Sequence, residues 1–190
     1  MAKVSFNKPA RALFGQLKAG DMVLLGARPG QGKTLLSLEL IVENIIQGNQ
    51  GAFFTLEYTR KDVDELLQLV GKNLIKIISQ IQFDHSDQIC SDYIVERLAT
   101  IPHGSIVVVD YLQLLDQKRD NLDIADQVIA LKLFAEENGL IIVFTSQIDR
   151  SFDHSKKSIP GLADVRLPNP VDLSMFNKSC FLNNGEIRIS

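Results

Sequence analysis

The chain reads as an α/β protein, a mostly parallel sheet with helices on both faces and a β-hairpin at the C-terminal edge. Three observations predict this. Short continuous apolar runs alternate with longer segments of helical spacing, and a continuous run marks a strand covered on both faces. The β-then-α order repeats, which implies right-handed crossovers and parallel pairing. Finally, a glycine-rich stretch, Gly26 to Thr34 (GARPGQGKT), joins the first apolar run to the first helical segment. A strand, a glycine-rich turn and a helix in that order form a cradle for an anion.

Taken in order, the first twenty residues are a lead-in that turns at Gly20. DMVLLG (21–26) is the first strand. The next segment is apolar at Leu35, Leu38, Ile41, Val42, Ile45 and Ile46, a helical spacing that Gly48 stops. GAFFTLE (51–57) is a second strand, and a helix is expected over 60–71 after Thr59. IQF (81–83), SIVVVD (105–110) and LIIVFTS (140–146) are further strands, with helices over 87–100 and 122–138 between them. Lys118, Arg119 and Asp120 read as a turn approaching the latter helix. Residues 151–170 are polar with three prolines, the composition of a flexible loop. The last twenty residues read as a strand and then a hairpin turning at Asn183 to Gly185. Neither an internal repeat nor a linker divides the chain, so one domain over 1–190 is expected.

Bulk composition bounds the function. An apolar fraction of 45% and a charged fraction of 23% are those of a soluble globular protein. With a net charge of −3 and a pI of about 5.6, the chain as a whole does not attract nucleic acid. Any such binding must come from a local patch. Cys90 and Cys180 are too far apart for a metal or redox motif and read as reduced thiols. His85, His103 and His154 have no ligand spacing. Lys3, Lys8 and Arg11 precede no apolar segment of a secretory signal, and no apolar run is long enough to span a bilayer. A cytoplasmic protein with no membrane partner is expected.

The glycine-rich stretch carries the chemistry. Gly30 and Gly32 let backbone N–H groups turn inward around phosphate oxygens. Lys33 can reach the β- and γ-phosphates, the Thr34 hydroxyl can ligate Mg²⁺, and the helix opening here points its positive end at the same anion. Ala27 stands where the strict spacing G-x-x-x-x-G-K-T has glycine. Arg28, Pro29, Gln31 and Leu35 complete the nucleotide-contacting stretch Ala27–Leu35. Three more groups end predicted strands, where ligands of open α/β sheets gather. Asp110 closes SIVVVD, and a carboxylate there is costly without a cation or donors, which points to the metal. Glu57 closes its strand and could deprotonate an attacking water; an ordinary exposed carboxylate has the same signature. Gln147 could sense the γ-phosphate, although an uncharged Gln at a strand end is common.

Four segments, GQLKAGDMVLLGARPGQGKT, AFFTLE, IVVVDYLQLLD and VFTSQIDRS, together resemble the ATPase domain of DnaB-like replicative helicases, within the RecA-like group of P-loop proteins. The resemblance covers residues 13–150 well and the tail loosely. It implies a RecA-like fold and a hexamer-forming, Mg-ATP-driven motor on single-stranded DNA. It further implies that Lys33 and Thr34 bind phosphate and Mg²⁺, that Glu57 is the catalytic base, and that Asp110 is the metal carboxylate. Gln147 would be the sensor that couples the γ-phosphate to DNA loops, and Arg150 an arginine near the nucleotide. Asp164 and Arg166 match an Asp-x-Arg stretch leading into a DNA-contacting loop.

Departures from that pattern leave a second class of function open. The family carries an N-terminal assembly domain, whereas about twenty residues precede the first strand here. The loop after Arg166 reads LPNPVD where the family has a glycine-containing DNA loop, and neither Lys178 nor Arg188 falls in register with the family's arginine finger. Lys156 and Lys157 offer only a thin basic patch for single-stranded DNA. The two readings are therefore an ATPase, acting alone, as a homo-oligomer or with a larger helicase subunit, and a nucleotide-dependent switch that reports the γ-phosphate to a protein partner. No Asn-Lys-x-Asp stretch for guanine is present, so ATP is the expected nucleotide.

Overall fold

The computed structural model describes residues 8–70, 77, 79–116, 121–167 and 171–190. Lys3, the Lys118–Asp120 turn, Gly71 at the end of the expected second helix, and Pro168, Asn169 and Pro170 of the expected DNA loop lie outside them. The elements are α1 (Lys8–Phe14), β1 (Met22–Ala27), α2 (Lys33–Ile46), β2 (Gly51–Thr55), α3 (Arg60–Val70) and β3 (Ile81–Asp84). They continue with α4 (Ser91–Arg97), β4 (Ile106–Asp110), α5 (Ile124–Asn138), β5 (Ile141–Gln147), β6 (Lys178–Asn183) and β7 (Glu186–Ile189).

Seven strands form one sheet in the order β3-β2-β4-β5-β1-β6-β7. Every pairing is parallel except β6 with β7. The expected architecture is present, including the hairpin: Asn183 pairs with Glu186, and Asn184 and Gly185 between them have φ of 50° and 80°. Two residues at positive φ match the right-handed twist of the strands they join.

Burial explains why the strand sequences are continuous rather than alternating. Val23, Leu25, Phe53, Val108 and Val143 face α1, α2 and α3 on one side of the sheet. Met22, Leu24, Phe54, Val109 and Phe144 face α4 and α5 on the other. Strands β1, β2 and β4 are buried at every position. At Gly51 a β-carbon would come within 2.4 Å of Ile41 Cγ2, so glycine here lets α2 lie close on β2. Buried polar groups fasten the layers: Gln127 of α5 donates through Nε2 to the carbonyls of Leu115 and Leu122 and accepts from the Ser91 N–H.

Three expectations need correction. The lead-in contains a helix, α1, whose Ala10 and Leu13 are buried in the core. The helix expected over 87–100 is confined to Ser91–Arg97. The stretch read as a flexible loop is, over residues 151–167, packed and tied: Phe152 is buried with Ile148 and Phe181, and Val165 bridges to Ile148. Apolar residues at irregular intervals hold it, a pattern with no period to detect in a sequence.

Both cysteines are free thiols. Cys180 is buried in β6, and burial pushes its thiol pKa up to about 12. Only Cys90, partly exposed ahead of α4, is expected to react with Ellman's reagent in the folded protein. Unfolding in guanidinium should release the second thiol; two fast thiols before unfolding would contradict this packing.

Candidate functional site

All six parallel strands point the same way, so their carboxyl ends line one edge of the sheet, where ligands of open α/β sheets bind. The glycine-rich turn follows β1 at this edge. Gly30 and Gly32 have φ of 77° and 88°, and a β-carbon on either would touch nothing within 4 Å. Glycine is required there by the backbone conformation, not by crowding. Gly32 caps α2 without a side-chain hydrogen bond, leaving first-turn N–H groups and the positive end of a 14-residue helix for an anion.

A cavity of about 400 Å³ lies at this turn, lined by Gly30, Gly32, Lys33, Thr34, Glu57 and Gln147 among others. Separate parts of the chain meet there. Lys33 and Thr34 open α2, Glu57 follows β2, and Gln147 ends β5. The strand preceding Glu57 ends at Thr55, two residues earlier than expected; the Glu57 N–H donates to Thr55 Oγ1 at 3.1 Å, which fixes the bend. Asp110 ends β4 and is buried; its Oδ2 lies 3.2 Å from Thr34 Oγ1, and its Oδ1 accepts from Thr145.

Burial and mutual charge set the titration of the three ionisable groups here. Burial lowers the Lys33 pKa, against the pull of Asp110 and Glu57. Burial raises the Asp110 carboxyl, opposed by Thr145, Lys33 and Thr34. Partial desolvation and the neighbouring Asp110 raise Glu57, with Lys33 opposing. Lys33 would be relieved by a phosphate, and Asp110 by a cation.

Whether Mg²⁺ suits these residues can be judged from the donors. Among the described residues no cluster of three or more His, Cys, Asp or Glu could hold a metal alone. Thr34 and Asp110 supply adjacent hard oxygens, and Mg²⁺ typically takes one or two protein oxygens plus substrate phosphates and water. The donor set fits.

Other expected contacts are already engaged. Arg28 grips Asp153 through Nε at 3.0 Å and Nη2 at 2.7 Å, and donates from Nη1 to the Ile148 carbonyl at 3.1 Å. Gln31 accepts from the Asn184 N–H of the hairpin at 2.7 Å. Ala27 is buried at the end of β1, while Pro29 and Leu35 line the phosphate cavity. Arg150, exposed at the start of a 3₁₀ turn, is not among the residues lining that cavity. Lys157 pairs with Asp164 at 2.8 Å, and Asp164 also accepts from the Gly161 N–H, so it stabilises a local turn. Lys156 is exposed. Arg166 lines a second, polar cavity of about 230 Å³ with Tyr111, Gln113 and Gln147. The Arg188 guanidinium donates to the Pro160 carbonyl, and Lys178 lies 3.9 Å from Asp21.

Sequence reasoning missed Tyr58, Thr145 and Asp153. Tyr58, next to Glu57, lines the phosphate cavity and its hydroxyl lies 3.3 Å from Thr34 Oγ1. A hydroxyl inside a β-strand such as Thr145, pointing at a buried Asp on the neighbouring strand, is visible only once the strand order is known.

Comparison with known proteins bears on the fold and the family. The model of the DnaB-like helicase C-terminal domain matches residues 73–171, just over half of the 190-residue chain, beginning after the phosphate loop. The replicative DNA helicase DnaB of Mycoplasma genitalium is 25% identical over 184 residues, covering 78% of this chain and 39% of that protein. Its counterpart in Mycoplasma pneumoniae is 27% identical, covering 83% and 41%. A probable plasmid replicative DNA helicase of Chlamydia trachomatis is 24% identical, covering 91% and 46%. The chain thus spans less than half the length of these curated relatives. In fold it is similar to a solved ATPase domain, at a TM-score of 0.68 and 21% identity, over 88% of this chain and 71% of that one. A DnaB-like replicative helicase described with its interactions with primase also has a TM-score of 0.68, at 20% identity, over 86% and 47%. The matched segment, the sheet and the site lead to one assignment: the chain belongs to the DnaB-like helicase C-terminal domain family.

Proposed function

We propose that the chain binds Mg-ATP, hydrolyses it, and works on or near single-stranded DNA as the motor part of a larger assembly. The observation that carries this reading is the meeting of Lys33, Thr34, Glu57, Asp110 and Gln147, from four parts of the chain, at one edge of the sheet. Lys33 and the N–H groups of the glycine-rich turn bind the β- and γ-phosphates. Thr34 and Asp110 hold Mg²⁺, which neutralises charge on the phosphate oxygens when bound. Glu57 takes a proton from a water that attacks the γ-phosphorus; the bond to the ADP oxygen breaks, and ADP and phosphate leave. Gln147 lines both the phosphate cavity and the polar cavity that holds Arg166, a shared wall through which the γ-phosphate can influence a DNA-facing surface. A cytoplasmic location goes with this reading. No helix among the described residues is long and apolar enough to cross a membrane.

One observation favours the second reading, a switch with little turnover. Lys178 and Arg188, the two basic residues nearest the place of a finger for a neighbouring subunit, are both engaged within the chain. A finger supplied in trans can change turnover by several orders of magnitude. Steady-state ATP hydrolysis with and without a single-stranded oligonucleotide separates the two. Turnover that rises with DNA and disappears in Lys33→Ala is the expected result. Tight Mg-ATP binding with negligible turnover, indifferent to DNA, would sink the motor reading in favour of the switch.

A further inference from the structure

Tyr58 has no role in the reaction as described, yet its hydroxyl sits against the hydroxyl assigned to the cation. The ring is half-buried and packs on the core that α2 and α3 share with the sheet, so the phenol oxygen is delivered from a fixed base. Thr34 Oγ1 lies between two oxygens, 3.3 Å from the Tyr58 hydroxyl and 3.2 Å from Asp110 Oδ2. A threonine hydroxyl has one proton and two lone pairs. An ionised carboxylate can only accept, so in that state the Thr34 proton goes to Asp110 and the Tyr58 proton serves the other contact. Asp110 is itself held through Oδ1 by Thr145. The chain of contacts runs Tyr58, Thr34, Asp110, Thr145, from the segment after β2 through the first turn of α2 and the end of β4 to β5.

This arrangement determines what the Thr34 oxygen presents to the cavity. With its proton directed at Asp110 and one lone pair directed at Tyr58, the remaining lone pair is free for a hard cation. Both contacts are longer than the usual O–H···O distance of about 2.7–2.8 Å, so neither alone fixes the rotamer. Two holds from different sides fix it together.

We propose that Tyr58 is a positioning residue for the divalent cation: with Asp110 it orients the Thr34 hydroxyl as a ligand, so that preference for Mg-nucleotide over metal-free nucleotide depends on the Tyr58 hydroxyl. The inference rests on the Mg-ATP reading and goes beyond it by naming what sets the metal dependence. Lys33 and the loop N–H groups meet phosphate without using Thr34 Oγ1, so the effect belongs to the magnesium-dependent part of binding.

Tyr58→Phe removes the hydroxyl and keeps the ring that packs on the core. The probe is AMP-PNP, titrated calorimetrically into the unaltered chain, Tyr58→Phe, Thr34→Val and the double variant, each in EDTA and in excess MgCl₂. The gain in affinity on adding magnesium is expected to shrink roughly three- to tenfold in Tyr58→Phe, the size carried by one hydrogen bond. On the Thr34→Val background the same substitution should change nothing further, since the coupled partner is gone. An unchanged magnesium gain in Tyr58→Phe would overturn the role of Tyr58 alone. Equal losses with and without magnesium would also overturn it, as a packing effect. No AMP-PNP binding by the unaltered chain would overturn the inference together with the ATP reading.

Discussion

Glu57→Gln is expected to lower ATP turnover by roughly 10²–10⁴-fold, the usual contribution of a positioned general base, while Mg-ATP binding persists. The glutamine keeps the size of the side chain and its hydrogen-bonding oxygen but cannot take a proton. Glu57 suits the task because partial desolvation and the nearby Asp110 raise its pKa above that of an ordinary carboxylate. The active form is the ionised one, so turnover should fall as pH drops through this raised value, and the acid limb of the profile should lie above the ordinary carboxylate range. Glu57→Gln should lose that limb along with the rate. Single-turnover hydrolysis across pH is the appropriate measurement, because it separates chemistry from product release. A variant with near-normal turnover and an intact acid limb would move the base elsewhere, and Gln147, which cannot accept the proton, would not be the substitute.

The residues around this site differ in how visible they are in a sequence. Lys33 and Thr34 are readable because the loop and the helix it opens are consecutive in the chain: the φ values at Gly30 and Gly32, the lysine and the first helical turn all lie within one stretch. Asp110 is readable because an acid at the end of a buried apolar run needs a reason. The sheet is readable because parallel strands covered on both faces must be continuously apolar, as β1 and β4 are. Contacts between distant segments are another matter. The Arg28–Asp153 pair spans 125 positions and joins the phosphate loop to a stretch that reads as loose and polar. Asp153 looks like a solvated loop acid until the fold brings Arg28 to it, and Asp164, singled out for its Asp-x-Arg stretch, is held by Lys157. Likewise α4 is shorter than its amphipathic pattern suggests, since Ile89 and Leu98 reach the core from outside the helix. Burial alone gives these residues a helical look; hydrogen bonding decides where the helix ends.

Asp110→Asn should push stability and function in opposite directions. Burial raises the Asp110 carboxyl in the folded chain, despite the help of Thr145, Lys33 and Thr34. A group whose pKa is raised by folding contributes its full stability below the unfolded value and loses it as pH climbs through the folded value. Above both values, the ionised carboxylate is therefore a standing cost. Asparagine removes the charge and keeps the contacts: its Oδ1 can accept from Thr145 and its Nδ2 can donate to Thr34 Oγ1. Lys33 offsets part of the gain, because burial already lowers its pKa and the variant takes away its largest electrostatic support. The net effect is expected to be a more stable ligand-free protein at pH above the folded Asp110 value, on the order of 1 kcal/mol or about 2–4 °C in Tm for a chain of this size. That advantage should shrink as pH falls through the raised folded value, above the ordinary carboxylate range, where the native Asp110 takes up its proton. Function should move the other way, because an amide is a poor ligand for a hard cation that favours carboxylate oxygen. Turnover should fall by at least about 10²-fold, comparable with other losses of charge stabilisation at a reacting phosphate. Thermal melts across pH, paired with magnesium titrations of ATP hydrolysis, read both effects on one protein. If the variant were less stable than the unaltered chain at the alkaline end of the melts, Asp110 would be stabilising as a carboxylate, and the trade between folding and metal binding at this position would not exist.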